Sequence, residues 1–103
     1  MKNNTRIEVE HPGVILKEEF MEPYGILAYR LTKETGIDKM TLSNILKGTR
    51  AITPITALKI SKYFDLSERY WINLQSDYDL RMAKRKILGE LSNIHTIPEI
   101  QSA

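Results

Sequence analysis

The sequence predicts an all-α fold of five helices joined by short loops. Three observations carry that prediction. Sustained alternation of apolar and polar residues, the mark of a half-buried strand, is found nowhere over a useful length. Residues that start and stop helices recur along the chain. Between them, apolar side chains repeat at i, i+3, i+4 and i+7, as one face of a helix requires.

The first helix opens at His11-Pro12, since a first helical turn accepts proline, and Ile15, Leu16, Phe20 and Met21 follow at helical spacing. It is expected to end before Pro23, with "EPYG" as the turn. A second helix, from about Leu27 to Thr35, stops at Gly36. Asp38 caps a third, from Lys39 to Lys47, which stops at Gly48. Thr53-Pro54 starts a fourth, with Ala57, Ile60, Ser61 and Phe64 on a core-facing stripe and Leu58 beside them. Ser67 caps the fifth, Glu68 sits where the helix dipole favours an acid, and Trp71, Leu74 and Tyr78 line its inner face. Gln75, on the same side, is expected to be a buried amide bonded to backbone. The helix should run through "LRMAKRK" toward Gly89. The chain then divides into an N-terminal arm (1–10), a helical domain (11–86) and a C-terminal tail (87–103) with no strong pattern.

A length of 103 residues, 42% of them hydrophobic and 27% charged, suits one ordinary globular domain. There is no cysteine, so disulfides, thiolate metal sites and cysteine nucleophiles are excluded. His11 and His95 lie at opposite ends without ligand spacing. Asp77 and Asp79, two residues apart, diverge around a helix. With no carboxylate constellation and no phosphate-cradling glycine loop, neither an enzyme nor a cofactor or metal site is expected. No apolar run approaches the ~20 residues of a membrane span, and "MKNNTRIEVE" has no apolar core of a secretory signal. A soluble cytoplasmic protein is expected.

Charge is unevenly placed. From Ala28 to Lys62 seven bases face two acids, a net of five positive charges, whereas the flanking regions are net acidic. That island is the footprint a polyanion would want. Within it, two helices flank Gly36, the spacing of a helix-turn-helix unit. Leu31, Ile37, Leu42 and Ile45 fit its internal apolar positions. Lys39, Met40, Thr41, Ser43, Asn44 and Lys47 remain outward. These suit the major groove: asparagine pairs with adenine, lysine donates to guanine, and threonine or methionine packs on the thymine methyl. Thr49 and Arg50, with the N–H groups near Gly48, suit phosphate clamping.

Residues 11 to about 86 resemble the HigA-type antitoxins, members of the Xre/phage-repressor-like helix-turn-helix class with a lambda-repressor-like fold. The segments "HPGVILKEEFMEPYGI", "AYRLTKETGI", "SNILKGTRAIT", "TALKISKYF" and "YWINLQSDYDLRMAK" carry the likeness. It implies a homodimer that binds a palindromic operator in double-stranded DNA of its own promoter and neutralises a co-encoded HigB-like mRNA-cleaving toxin. It also implies base reading by Lys39, Met40, Thr41, Ser43 and Asn44, and backbone contacts by Arg30, Lys47, Thr49 and Arg50. The chain departs from the family pattern at Leu27, where a serine cap is usual, at Thr32, where alanine is usual, and at Thr35, usually aliphatic. Thr32 is expected to bond a carbonyl one turn back.

Two other functions fit the residues. One is a repressor without a toxin. The other is a toxin-masking protein with weak DNA binding, which the acidic Glu18, Glu19 and Glu22 favour. The apolar Ile87, Leu88 and Leu91 make the fifth helix and the tail the expected dimer surface.

Overall fold

The computed structural model describes residues 10–101, with side chains to position 99, so all of the N-terminal arm but Glu10 lies outside the described residues. His11 has extended backbone, and its Nδ1 accepts the N–H of Gly13 at 2.9 Å, capping α1 (Pro12–Ile15). The chain then widens into a π-helical turn over Leu16–Met21 and tightens to a 3-10 turn over Glu22–Tyr24. The single helix expected here is therefore three segments. The wider turn has a packing reason. In a π-turn residues five apart stack, so Leu16 and Met21 both enter the core.

Leu27 precedes α2 (Ala28–Thr35) and offers no side-chain cap. Gly36 ends the helix with φ 77°, a left-handed conformation that glycine adopts freely, and its N–H returns to the carbonyl of Thr32 at 2.9 Å. The unusual threonines stitch this turn. Thr32 Oγ1 donates to the carbonyl of Tyr29 at 2.8 Å, as expected. The Thr35 hydroxyl donates to the carbonyl of Leu31 at 2.6 Å and accepts the N–H of Ile37 at 3.2 Å.

Asp38 caps α3 (Lys39–Leu46), one carboxylate oxygen accepting the N–H groups of Met40 and Thr41, each at 3.1 Å. At the other end, the N–H of Thr49 bonds the carbonyl of Asn44 at 2.9 Å and that of Gly48 bonds Ile45 at 3.0 Å, a Schellman closure.

In α4 (Pro54–Tyr63), Ala57, Ile60 and Ser61 are buried, but Leu58 is 50% exposed and does not join the stripe. One residue past Ala57 it is rotated by about 100°, off the inner face. Thr53 occupies the N-cap without capping a backbone N–H; its hydroxyl lies 3.3 Å from that of Thr56. Ser67 does not cap the fifth helix directly. It closes a separate turn, accepting the N–H of Arg69 at 3.2 Å and, through its carbonyl, that of Tyr70 at 3.0 Å. Helix α5 (Tyr70–Lys86) follows and stops short of Gly89, with Lys84, Arg85 and Lys86 in its last turn, where the dipole favours cations. The tail is not featureless: α6 (Leu88–Ser92) and α7 (Pro98–Gln101) lie within it.

Helix α2 packs on α3 and α4, α1 on α3 and α5, and α4 on α5. Leu16, Leu31, Leu42, Ile45, Ile60 and Trp71 are fully buried among them. The Phe20 ring meets Phe64, Tyr70 and Trp71 edge-on, with centroids 5.0–5.8 Å apart, which assigns these aromatics to the core. Beyond this core α5 projects outward. The extents are 54 × 31 × 24 Å and the radius of gyration is 17.3 Å, against about 13 Å for a compact chain of this length.

Helix α1 can approach α3 so closely only because of Gly13. A Cβ there would lie 1.8 Å from the Ile45 carbonyl oxygen, a backbone atom that cannot swing aside. Gly13→Ala is expected to destabilise the protein by about 1–3 kcal/mol, as overpacking does. Urea unfolding followed by circular dichroism would measure the shift, and an unchanged midpoint would contradict the packing described.

Candidate nucleic-acid interface

Helix α3 turns Leu42 and Ile45 inward. At 3.6 residues per turn, Met40, Ser43, Asn44 and Lys47 then form its outer ridge, with Lys39 and Thr41 on opposite flanks. Met40 is 65% exposed, Lys39 and Lys47 are exposed, and Thr41, Ser43 and Asn44 are half-buried. The one acid of this stretch, Asp38, is occupied by backbone N–H groups, with the Thr41 hydroxyl 3.5 Å away. The ridge itself is polar, cationic and free of carboxylates.

Beside the ridge lies a cleft of about 600 Å³ between α2, α3 and the π-turn, lined by Lys17, Tyr29, Thr32, Lys39, Ser43 and Lys47 together with Ala28 and Leu46. Lys17 and Tyr29 were not legible as site residues. Lys17 sits in a charged run that reads as a solvated face. Tyr29 lies on the first helix of the glycine-centred motif, away from its internal apolar positions, and only the packing of α2 on α3 brings it here.

The expected backbone-contact residues divide. Lys47 lines the cleft. Arg30 points elsewhere: its Nε pairs with Glu34 at 3.2 Å and lines a separate groove with Tyr63. The Tyr63 hydroxyl also donates to Glu34, which holds that carboxyl below the ordinary carboxylate range. Thr49 spends its N–H and its hydroxyl on the Asn44 carbonyl, the latter at 3.1 Å, and the Gly48 N–H is likewise used. Those N–H groups close α3 instead of remaining open for phosphate. Arg50 is exposed, and its backbone is held from behind.

Two side chains do the holding. Gln75, 4% exposed, accepts the Ile52 N–H on Oε1 at 2.8 Å and donates from Nε2 to Asp79 at 2.9 Å, as its expected role as a buried amide requires. His11 lies against Gly48 and the backbone of Arg50 and stacks edge-on against Tyr78, centroids 5.1 Å apart. The loop leaving α3 is thereby tied to α1 and α5.

A glycine turn between packed helices, with the second helix presenting a carboxylate-free ridge, defines a helix-turn-helix protein. The chain belongs to that family: the family described as HTH_3, helix-turn-helix, matches residues 18–71. Among its relatives, virulence-associated protein I of Dichelobacter nodosus is 39% identical over 75 residues, 73% of this chain and 69% of the relative. Its structural neighbours include HigA antitoxins. A structure of the Pseudomonas aeruginosa antitoxin HigA with the higBA promoter superposes with a TM-score of 0.81 at 30% identity, covering 88% of this chain and 98% of that one. A structure of the antitoxin GraA in complex with its operator gives 0.81 at 33% identity, covering 94% and 97%.

Burial moves the His11 pKa below its ordinary value of 6.5, against the opposing pull of the Arg50 backbone and the Asp79 charge. The folded state thus favours neutral imidazole, and the unfolded state binds the proton more tightly. This contribution to stability is complete above about pH 6.5 and is lost as pH falls toward the folded value. Urea midpoints at pH 7.5 and 5.5 are expected to differ more for the wild type than for His11→Asn; equal differences would contradict the assignment.

Proposed function

We propose that this protein is a cytoplasmic DNA-binding antitoxin that represses its own operon as a homodimer and neutralises a co-encoded HigB-like mRNA-cleaving toxin. The observation that carries the DNA reading is the carboxylate-free ridge of α3 beside a lysine-lined cleft. A helix of this size enters the major groove, where Asn44 bonds adenine, Lys39 donates to guanine, and Met40 and Thr41 pack on thymine methyls. Ser43 bonds a base edge or a phosphate. Lys47 and Arg50 contact the backbone, which positions the helix and makes binding salt-dependent. The toxin role rests on the likeness to antitoxins alone. In this reading residues 11–86 form the DNA-binding unit and 87–103 belong to the dimer contact.

The base-reading assignment predicts that Asn44→Ala weakens binding to the promoter duplex by about 1–3 kcal/mol and relaxes the sequence preference. Lys39→Glu adds charge repulsion. The double variant is expected to lose specific binding while keeping its helical circular dichroism. Retained specific binding in a gel-shift assay against scrambled duplex would refute the assignment. Weak binding by the wild type even at low salt would instead favour a toxin-masking protein, the reading that the acidic first helical stretch supports.

Dimerisation is supported by the protruding end of the chain. Leu80, Leu88, Leu91, Ile94 and Ile97 are 40–71% exposed, an apolar surface that a monomer would leave in water. Two-fold pairing there would present two α3 helices to half-sites about 34 Å apart. Leu88→Asp with Leu91→Asp is expected to convert the dimer to monomer in analytical ultracentrifugation and to weaken promoter binding. A dimer that survives both changes would place the contact elsewhere.

A further inference from the structure

The segment between α3 and α4 is short and is fixed at both ends. At its start the N–H and the hydroxyl of Thr49 both bond the carbonyl of Asn44. At its end Ile52 is 1% exposed, and α4 begins only at Pro54, so the Ile52 N–H has no helix to enter. A buried N–H without an acceptor is costly. Gln75 of α5 supplies the acceptor, Oε1, at 2.8 Å. An amide can turn either end toward a neighbour, and Asp79 decides which. A carboxylate only accepts, so the 2.9 Å bond from Nε2 to Asp79 keeps Oε1 for Ile52. Between the two fixed points lie Arg50 and Ala51 alone, both exposed. With so little slack, the bond at Ile52 sets where the Arg50 side chain leaves the surface.

We propose that Gln75, oriented by Asp79, is a positioning residue for DNA binding that holds Arg50 where its guanidinium meets a backbone phosphate. Gln75 is 4% exposed and itself touches no DNA. The inference rests on the DNA-binding reading above and deepens it: the phosphate contact that follows α3 is set from α5, outside the helix-turn-helix unit. Without the bond, Arg50 must be ordered at the moment of binding, and affinity falls. The same helix runs on through the exposed Leu80 toward the apolar end assigned above to the dimer. Pairing of the subunits and the phosphate contact then share one rigid element.

The test is a double-mutant cycle between Gln75 and Arg50, read by fluorescence anisotropy in a salt series. Two labelled duplexes are used, one from the region upstream of the protein's own gene and one of scrambled sequence. Arg50→Ala is expected to weaken binding to both by a similar factor, roughly 3- to 10-fold at moderate salt, and to lower the slope of log K against log salt by about one. Gln75→Met keeps the bulk and removes the acceptor. It is expected to weaken binding to both duplexes by no more than Arg50→Ala does, to leave their affinity ratio unchanged, and to add nothing in the Arg50→Ala background. A purely structural role would instead loosen α3, lower that ratio and give losses that add. Circular dichroism checks folding; Gln75→Asn, which withdraws the amide by one methylene, takes the place of Gln75→Met if that variant is unfolded. Additive losses, or a wild-type affinity in either single variant, would show the inference to be wrong. If the wild type binds neither duplex at low salt, the DNA-binding reading itself fails, and the inference with it.

Discussion

The contact of Gly13 against the carbonyl of Ile45 sets how the rest of the molecule is arranged. At this point α1 lies against the C-terminal turn of α3 with no side chain between them. That approach fixes the depth at which Ile45 and Leu42 enter the core and, through them, which residues of α3 face solvent. It also brings His11 next to Gly48 and the backbone of Arg50. A bulkier residue at position 13 would push α3 away from the scaffold, and a recognition helix must be rigidly placed before its side chains can discriminate between bases.

Around this contact the polar groups divide their labour. One set is spent on fixing the backbone on both sides of α3. Asp38 caps its start, Thr35 braces the turn before it, Thr49 closes its end, and Gln75 and His11 hold the following loop. Each of these bonds satisfies a backbone group that would otherwise be costly to bury or leave frayed. The remaining polar side chains of α3 are left facing outward. Charge follows the same division, since Glu34 and Asp65 lie with Arg30 around a groove lined partly by Phe20 and Tyr63, whereas among the described residues the charged groups lining the cleft beside α3 are lysines.

Much of this was legible in the sequence. The stops at Gly36 and Gly48, the Asp38 cap and the Thr53-Pro54 start are local signals, and each placed its helix boundary because the physics acts within one turn. The inward set of Leu31, Ile37, Leu42 and Ile45 followed from periodicity, and the outward ridge of α3 followed from that set. What depends on tertiary contact was not legible. The π-turn at Leu16–Met21 exists to bring two residues five apart into one core. Leu58 looked like core because it neighbours core residues, and a single step in helical phase turned it out. Arg30 reads as a phosphate contact; Glu34, its ion-pair partner, lies one turn along the same helix, and only the packing of α4 on α2 brings Tyr63 to that pair. Lys17 and Tyr29 gave no signal, because the cleft they line exists only once three elements are packed.

If α3 lies in the major groove and reads base edges there, a groove-specific chemical probe will register it. Dimethyl sulfate footprinting on the promoter duplex tests it most directly, because this reagent methylates guanine N7 in the major groove and adenine N3 in the minor groove. Bound protein is expected to shield guanine N7 in two patches about one helical turn apart and to leave adenine N3 between them reactive. Shielding confined to adenine N3, or none at saturating protein, would contradict it.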